Sequence, residues 1–134
     1  MNITTINWLA VLVAALSNFL IGGLWYSPLI FAKQWMKENG FTDEQLKQGF
    51  MVPMLFTFLF SFIMAFNLAM FLNDSATTTH WGALAGFLAG FGWAALAFCV
   101  IALFERKSIR YMLIHVGYIT ISFVVMGTIL GAWR

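Results

Sequence analysis

Tyr111, His115, Tyr118 and Ser122 follow one another at spacings of four, three and four residues. That spacing places them on one face of a helix. An imidazole between two phenols is the one grouping in this chain that could move a proton or hold a polar ligand. His115 lies about 6 Å along the helix from Tyr111, near the edge of an apolar stretch rather than at its middle. Asn18 and Ser61 fall at depths similar to Tyr118 and Ser122 in their own apolar stretches. An amide surrounded by hydrocarbon must find partners. These six residues, Asn18, Ser61, Tyr111, His115, Tyr118 and Ser122, are therefore the candidate lining of a small polar cavity. The residue types favour the plainer reading, hydrogen bonds that tie neighbouring helices together.

Other chemistry is poorly supported. Paired carboxylates, a nucleophile elbow, a phosphate-binding loop and a haem ligand pair are all missing. Asp74 and His80 flank one loop, and two such residues do not make a metal site. Cys99 is the single cysteine, so no intrachain disulfide forms. No metal and no cofactor is expected. Acid–base work would fall to His115, Tyr111 and Tyr118 without a nucleophile, and the residues favour a non-enzymatic role.

The elements that position these side chains are set by where charge is absent. The 134 residues are 62% hydrophobic and 9% charged, against about 25% charged in a soluble domain. Net charge is +2, which gives no reason to expect nucleic acid as a partner. Asp, Glu, Lys and Arg are absent from residues 1–32, 48–73, 75–104 and 111–133. Each window can hold a membrane helix of about 20 residues. Runs such as Leu55–Leu59 do not alternate as a barrel strand would. The expected fold is an all-α membrane protein, a four-transmembrane-helix bundle in one domain spanning residues 1–134. The spans are placed at about 6–27, 51–72, 81–104 and 110–133. The first has no basic residue ahead of it and is too long for a signal peptide, so it is kept as a span.

Lys33, Lys37 and Lys47 lie in the first loop, and Arg106, Lys107 and Arg110 in the third. Arg134 is the lone basic residue on the other side. The bias predicts cytoplasmic first and third loops, with both termini outside. Trp8, Trp81 and Trp133 suit one interface, and Tyr26, Trp35 and Tyr111 the other. Trp93 lies mid-span and is expected to pack between helices. Membrane lipids are expected partners; the basic loops suit anionic headgroups and are equally explained by topology alone.

Pro28 must bend or end the first span. Leu29–Glu38 then reads as a short interfacial helix in the first cytoplasmic loop, with Asn39-Gly40 as its stop. Thr42-Asp43-Glu44-Gln45 is a capping box. The helix it starts either runs into the second span or breaks near Gly49.

Gly82, Gly86 and Gly90 form a small-residue ladder on the third span, and Gly127 and Gly131 a shorter one on the fourth. Such ladders let helix backbones approach closely. They serve either packing inside one chain or the interface of a parallel homo-oligomer. Ala10, Ala14, Asn18 and Gly22 share one face of the first span.

The run Gly22-Gly23-Leu24-Trp25-Tyr26-Ser27-Pro28, followed by Phe31, Lys33 and Trp35, resembles the first-span signature of a bacterial membrane family, domain-of-unknown-function family 1761. The glycine-rich third span, the short basic third loop and the Gly127–Trp133 end are also similar. The resemblance implies a small four-span protein of the bacterial inner membrane. It carries no catalytic residues. The expected function is a structural or accessory role, binding lipid or a partner. The alternative is an oligomeric transporter or channel for a small neutral or anionic solute, since no charged residue lies deep in a span.

Overall fold

The computed structural model describes residues 2–134. A 3-10 turn at Ile3–Thr5 leads to α1 (Trp8–Trp25), whose first amides are capped by the Asn7 side chain. Ser27 and Pro28 turn the chain, and α2 (Ala32–Asn39) follows. α2 stops at Gly40, at φ +67° in the left-handed region that glycine enters without strain. There the Phe41 amide closes back on Met36 O, a Schellman ending. α3 (Asp43–Lys47) starts with the full Thr42–Gln45 capping box. Gly49, also at positive φ, then breaks the chain, and α4 (Met51–Leu72) begins separately. Pro53 sits in the first turn of α4, where a missing N–H costs nothing.

α5 runs Thr79–Phe104 with a π-helical turn at Gly90–Ala95. α6 (Ile109–Ala132) is capped by Ser108. Helices α1, α4, α5 and α6 are each long and apolar enough to cross a membrane. Among the described residues no strand occurs. The protein is an all-α, multi-pass membrane protein.

α1, α4 and α6 pack against one another, and α5 packs along α6. The core is built largely from small side chains, among them Ala10, Ala14, Ala15, Ala65 and Ala69, with Val11, Leu68, Leu72, Met126 and Leu130. Small residues allow close backbones, which is how dispersion contacts accumulate where lipid removes the hydrophobic drive. α5 is the flanking member: 17% of its apolar window is buried, against 28% for each of the other three.

Trp93 departs from expectation. It is 75% exposed on the outer side of α5, rather than packed between helices. The buried face of α5 runs Gly82, Gly86, Gly90, Ala95 and Ala102. The step from Gly90 to Ala95 is five residues, the hydrogen-bond span of a π turn. That extra residue keeps the small face on α6 and rotates Trp93 outward.

Both glycine ladders lie in the α5–α6 contact. A Cβ on Gly82 would overlap Gly127 O, and one on Gly127 would overlap Gly82 O. A Cβ on Gly86 would overlap Phe123 O, one on Gly90 would stand 2.5 Å from Phe123 Cβ, and one on Gly131 would stand 2.6 Å from Thr78 O. The ladders are packed on each other within one chain, Gly82, Gly86, Gly127 and Gly131 against backbone and Gly90 against the Phe123 side chain.

Candidate functional site

The deep part of the site begins with Asn18, one turn beyond Ala14 on the small face of α1 and 2% exposed. Its Nδ2 donates to Ser61 Oγ of α4 at 2.5 Å, and Ser61 donates in turn to Thr57 O at 2.7 Å. Tyr118 of α6 donates its hydroxyl to Asn18 Oδ1 at 3.2 Å. One amide thus links three spans. Gly22, one turn further along α1, gives the phenol its room: a Cβ there would stand 3.2 Å from the Tyr118 hydroxyl. Ser122 lies one turn deeper on α6 and is 1% exposed. Its Oγ and the Thr120 Oγ1 are buried without hydrogen-bond partners among the described residues.

About 10 Å toward the loop end of α6, the His115 Nδ1 meets the Tyr26 hydroxyl at 2.5 Å. With Tyr26 donating, the ring proton stands on Nε2, which is buried and has no partner among the described residues. Aromatic rings enclose the pair. Tyr111 lies edge-on to His115 at 4.4 Å between centroids, Phe98 at 5.0 Å, and Tyr26 meets Trp35 of α2 tilted at 5.3 Å and Tyr118 edge-on at 5.4 Å. Tyr111 joins the cluster through its ring, over which Lys107 sits at 5.2 Å.

The six residues singled out by spacing therefore fall into two linked groups. Asn18, Ser61 and Tyr118 share hydrogen bonds, with Ser122 beside them. His115 and Tyr111 form the shallower group, connected to the first through the Tyr26–Tyr118 ring contact. Among the described residues, two cavities lie elsewhere. One is at the end that carries the termini, and the other is beside α3.

Three further residues complete the arrangement. Tyr26, assigned from sequence to the interfacial belt, is the hydrogen-bond partner of His115. Trp25 donates Nε1–H to Ile114 O at 2.9 Å and so fixes the end of α1 on α6. Gly117 makes room for that indole, since a Cβ there would be 2.7 Å from Trp25 Cζ2. Trp25 and Tyr26 both belong to the Gly-Gly-Leu-Trp-Tyr-Ser-Pro run; its density of aromatic and small residues is the signal that marks them. Gly117 gave none, standing alone between bulky neighbours.

At the loop end, Ser108 caps α6 and donates its hydroxyl to Glu38 Oε2 of α2 at 2.6 Å. Gln34 donates to Glu38 Oε1 at 3.0 Å. The Ser108 bond, then that of Gln34 with Arg110 and Lys37 nearby, holds the Glu38 carboxyl below its ordinary value. Among the described residues no group of three or more His, Cys, Asp or Glu comes together as a metal site.

Residues 9–131 match the family described as "Protein of unknown function (DUF1761)". No curated protein and no solved structure matches the chain. The match takes in all four spans, the Gly22–Pro28 run and the His115–Tyr118 face, and the chain belongs to family DUF1761.

Proposed function

We propose that this protein is a structural or accessory component of the membrane that works by binding lipid or a partner span, not by catalysis or conduction. The observation that carries this reading is the Asn18–Ser61–Tyr118 network, in which polar groups of α1, α4 and α6 hydrogen-bond one another in the core. A pathway would need such groups turned toward a passage. Here they draw three helices together, in the manner of interhelical hydrogen bonds in lipid. We place the protein in a bacterial inner membrane with the first and third loops cytoplasmic and the termini outside, on the six-to-one bias of Lys and Arg.

Reconstituted vesicles test the reading. Flux of chloride, urea and glycerol should equal that of protein-free vesicles. Flux above that background, abolished by Asn18→Leu, would replace it with the transport reading. One observation favours that second reading: Ser122 Oγ, Thr120 Oγ1 and His115 Nε2 lie along α6 with no hydrogen-bond partner among the described residues.

A further inference from the structure

The cavity at the terminal end takes no part in the network above. Its volume is about 330 Å³, within the size range of small-molecule sites. It opens over the junction of α1, α4 and α6, and its floor is apolar, with Ala10, Ala69 and Leu130 of the core. Two opposite charges stand in its wall: Asp74, just after α4, and Arg134, just after α6. The neighbouring Asn73 amide is already committed, as is the side-chain oxygen of Asn7. Asn73 donates to Asn2 O and Thr5 Oγ1, both at 2.8 Å, and Asn7 caps α1.

The two charges are not committed to each other. Arg134 directs its guanidinium at the backbone carbonyls of Asp74 and Ser75, the latter at 3.1 Å. Those bonds employ two of its five N–H groups. The Asp74 carboxylate accepts from the Ala76 amide through Oδ1 at 2.8 Å and keeps further acceptor sites. A wall holding one cation and one anion above an apolar floor discriminates by charge pattern. A net anion meets Asp74, and a net cation meets Arg134. A group carrying both charges satisfies both, with an alkyl portion on Ala10 and Leu130.

We propose that this cavity binds a zwitterionic group, its primary ammonium held by Asp74 and its phosphate or carboxylate by Arg134. The inference does not rest on the Asn18–Ser61–Tyr118 network, because it concerns the terminal end of the fold, and it holds for a transporter equally; a lipid-borne ligand would deepen the accessory reading. The zwitterion has two sources, an aminophospholipid headgroup or a free small molecule.

The test uses the full chain in nanodiscs of mixed phosphatidylethanolamine and phosphatidylglycerol, with lipid retention read by native mass spectrometry. Calorimetry with free phosphorylethanolamine in detergent forms the second arm. Preferential retention of phosphatidylethanolamine, reduced about tenfold by Asp74→Asn or Arg134→Gln and largely restored by Arg134→Lys, supports a lipid-borne group. Binding of phosphorylethanolamine with the same dependence on both residues supports a free one. Equal retention of both lipids with no phosphorylethanolamine binding would overturn the proposal. So would a preference that survives both Asp74→Asn and Arg134→Gln.

Discussion

Asn18 is the residue on which the polar interior turns, because its one amide serves as donor to α4 and acceptor from α6. Asn18→Leu removes both bonds and leaves the Tyr118 hydroxyl without its acceptor. Interhelical hydrogen bonds in lipid contribute about 0.6–2 kcal/mol each. The variant should be destabilised by about 1–3 kcal/mol in a reversible unfolding titration in mixed micelles, while Ser61, which still donates to Thr57 O, keeps its place. No change in the midpoint would mean that the amide contributes little. A second residue-scale outcome concerns Gly127. Its Cβ would collide with backbone that cannot rotate away, so Gly127→Val should separate α5 from α6. Gly23→Val, at a glycine with open space around it, is the matched control and should pack normally. Thermal aggregation in detergent compares the two directly.

At the scale of elements, α2 is a strap across the loop end. It is fixed by Trp35 on Tyr26 and by Glu38 on Ser108. The Glu38 carboxyl lies below its ordinary 4.5 in the folded chain. A group lowered on folding stabilises above its unfolded value and loses that contribution as pH falls through the folded one. The α2–α6 contact should thus be intact at neutral pH and loosen only below the ordinary carboxylate range. Tryptophan emission of Trp35 should shift to the red over that interval, and Glu38→Gln should abolish the shift. An unchanged acid shift in Glu38→Gln would assign it to another group. The π turn of α5 has the opposite character. It exists because the face of α5 must stay on α6 after Gly90, and its visible result is the outward Trp93.

For the whole molecule, lipid rather than water must contact most of the surface, since Phe104, Trp93, Leu29 and Ile109 are among the most exposed side chains. Trp93 offers a direct reading of depth. Mid-chain brominated lipid should quench it more strongly than Trp133, which stands at the end of α6, and Trp93→Leu should leave stability unchanged. Equal quenching of both would contradict the placement of α5. The Glu38–Ser108 bond also requires the first and third loops to share one end of the molecule. In a Cys99→Ala background, Lys37→Cys and Arg106→Cys should react with an impermeant maleimide from the same side, and Thr78→Cys from the other. Labelling of Lys37→Cys and Arg106→Cys on opposite faces would rule out the fold.

How much of this was legible in the sequence follows from which forces act locally. Charge-free windows determine the four helices, because hydrocarbon admits only backbone that is satisfied within its own segment. Capping residues and the positive-φ glycines determine where the short helices start and stop. The face bearing His115 and Tyr118 is likewise a matter of helical period alone. Sequence could not say which helix each face meets, since in lipid no hydrophobic drive distinguishes one apolar surface from another. Tertiary packing alone brought Asn18 to Ser61, Tyr26 to His115 and Gly82 to Gly127. It also turned Trp93 outward through a single five-residue step and gathered Asp74 and Arg134, 60 residues apart, at one cavity.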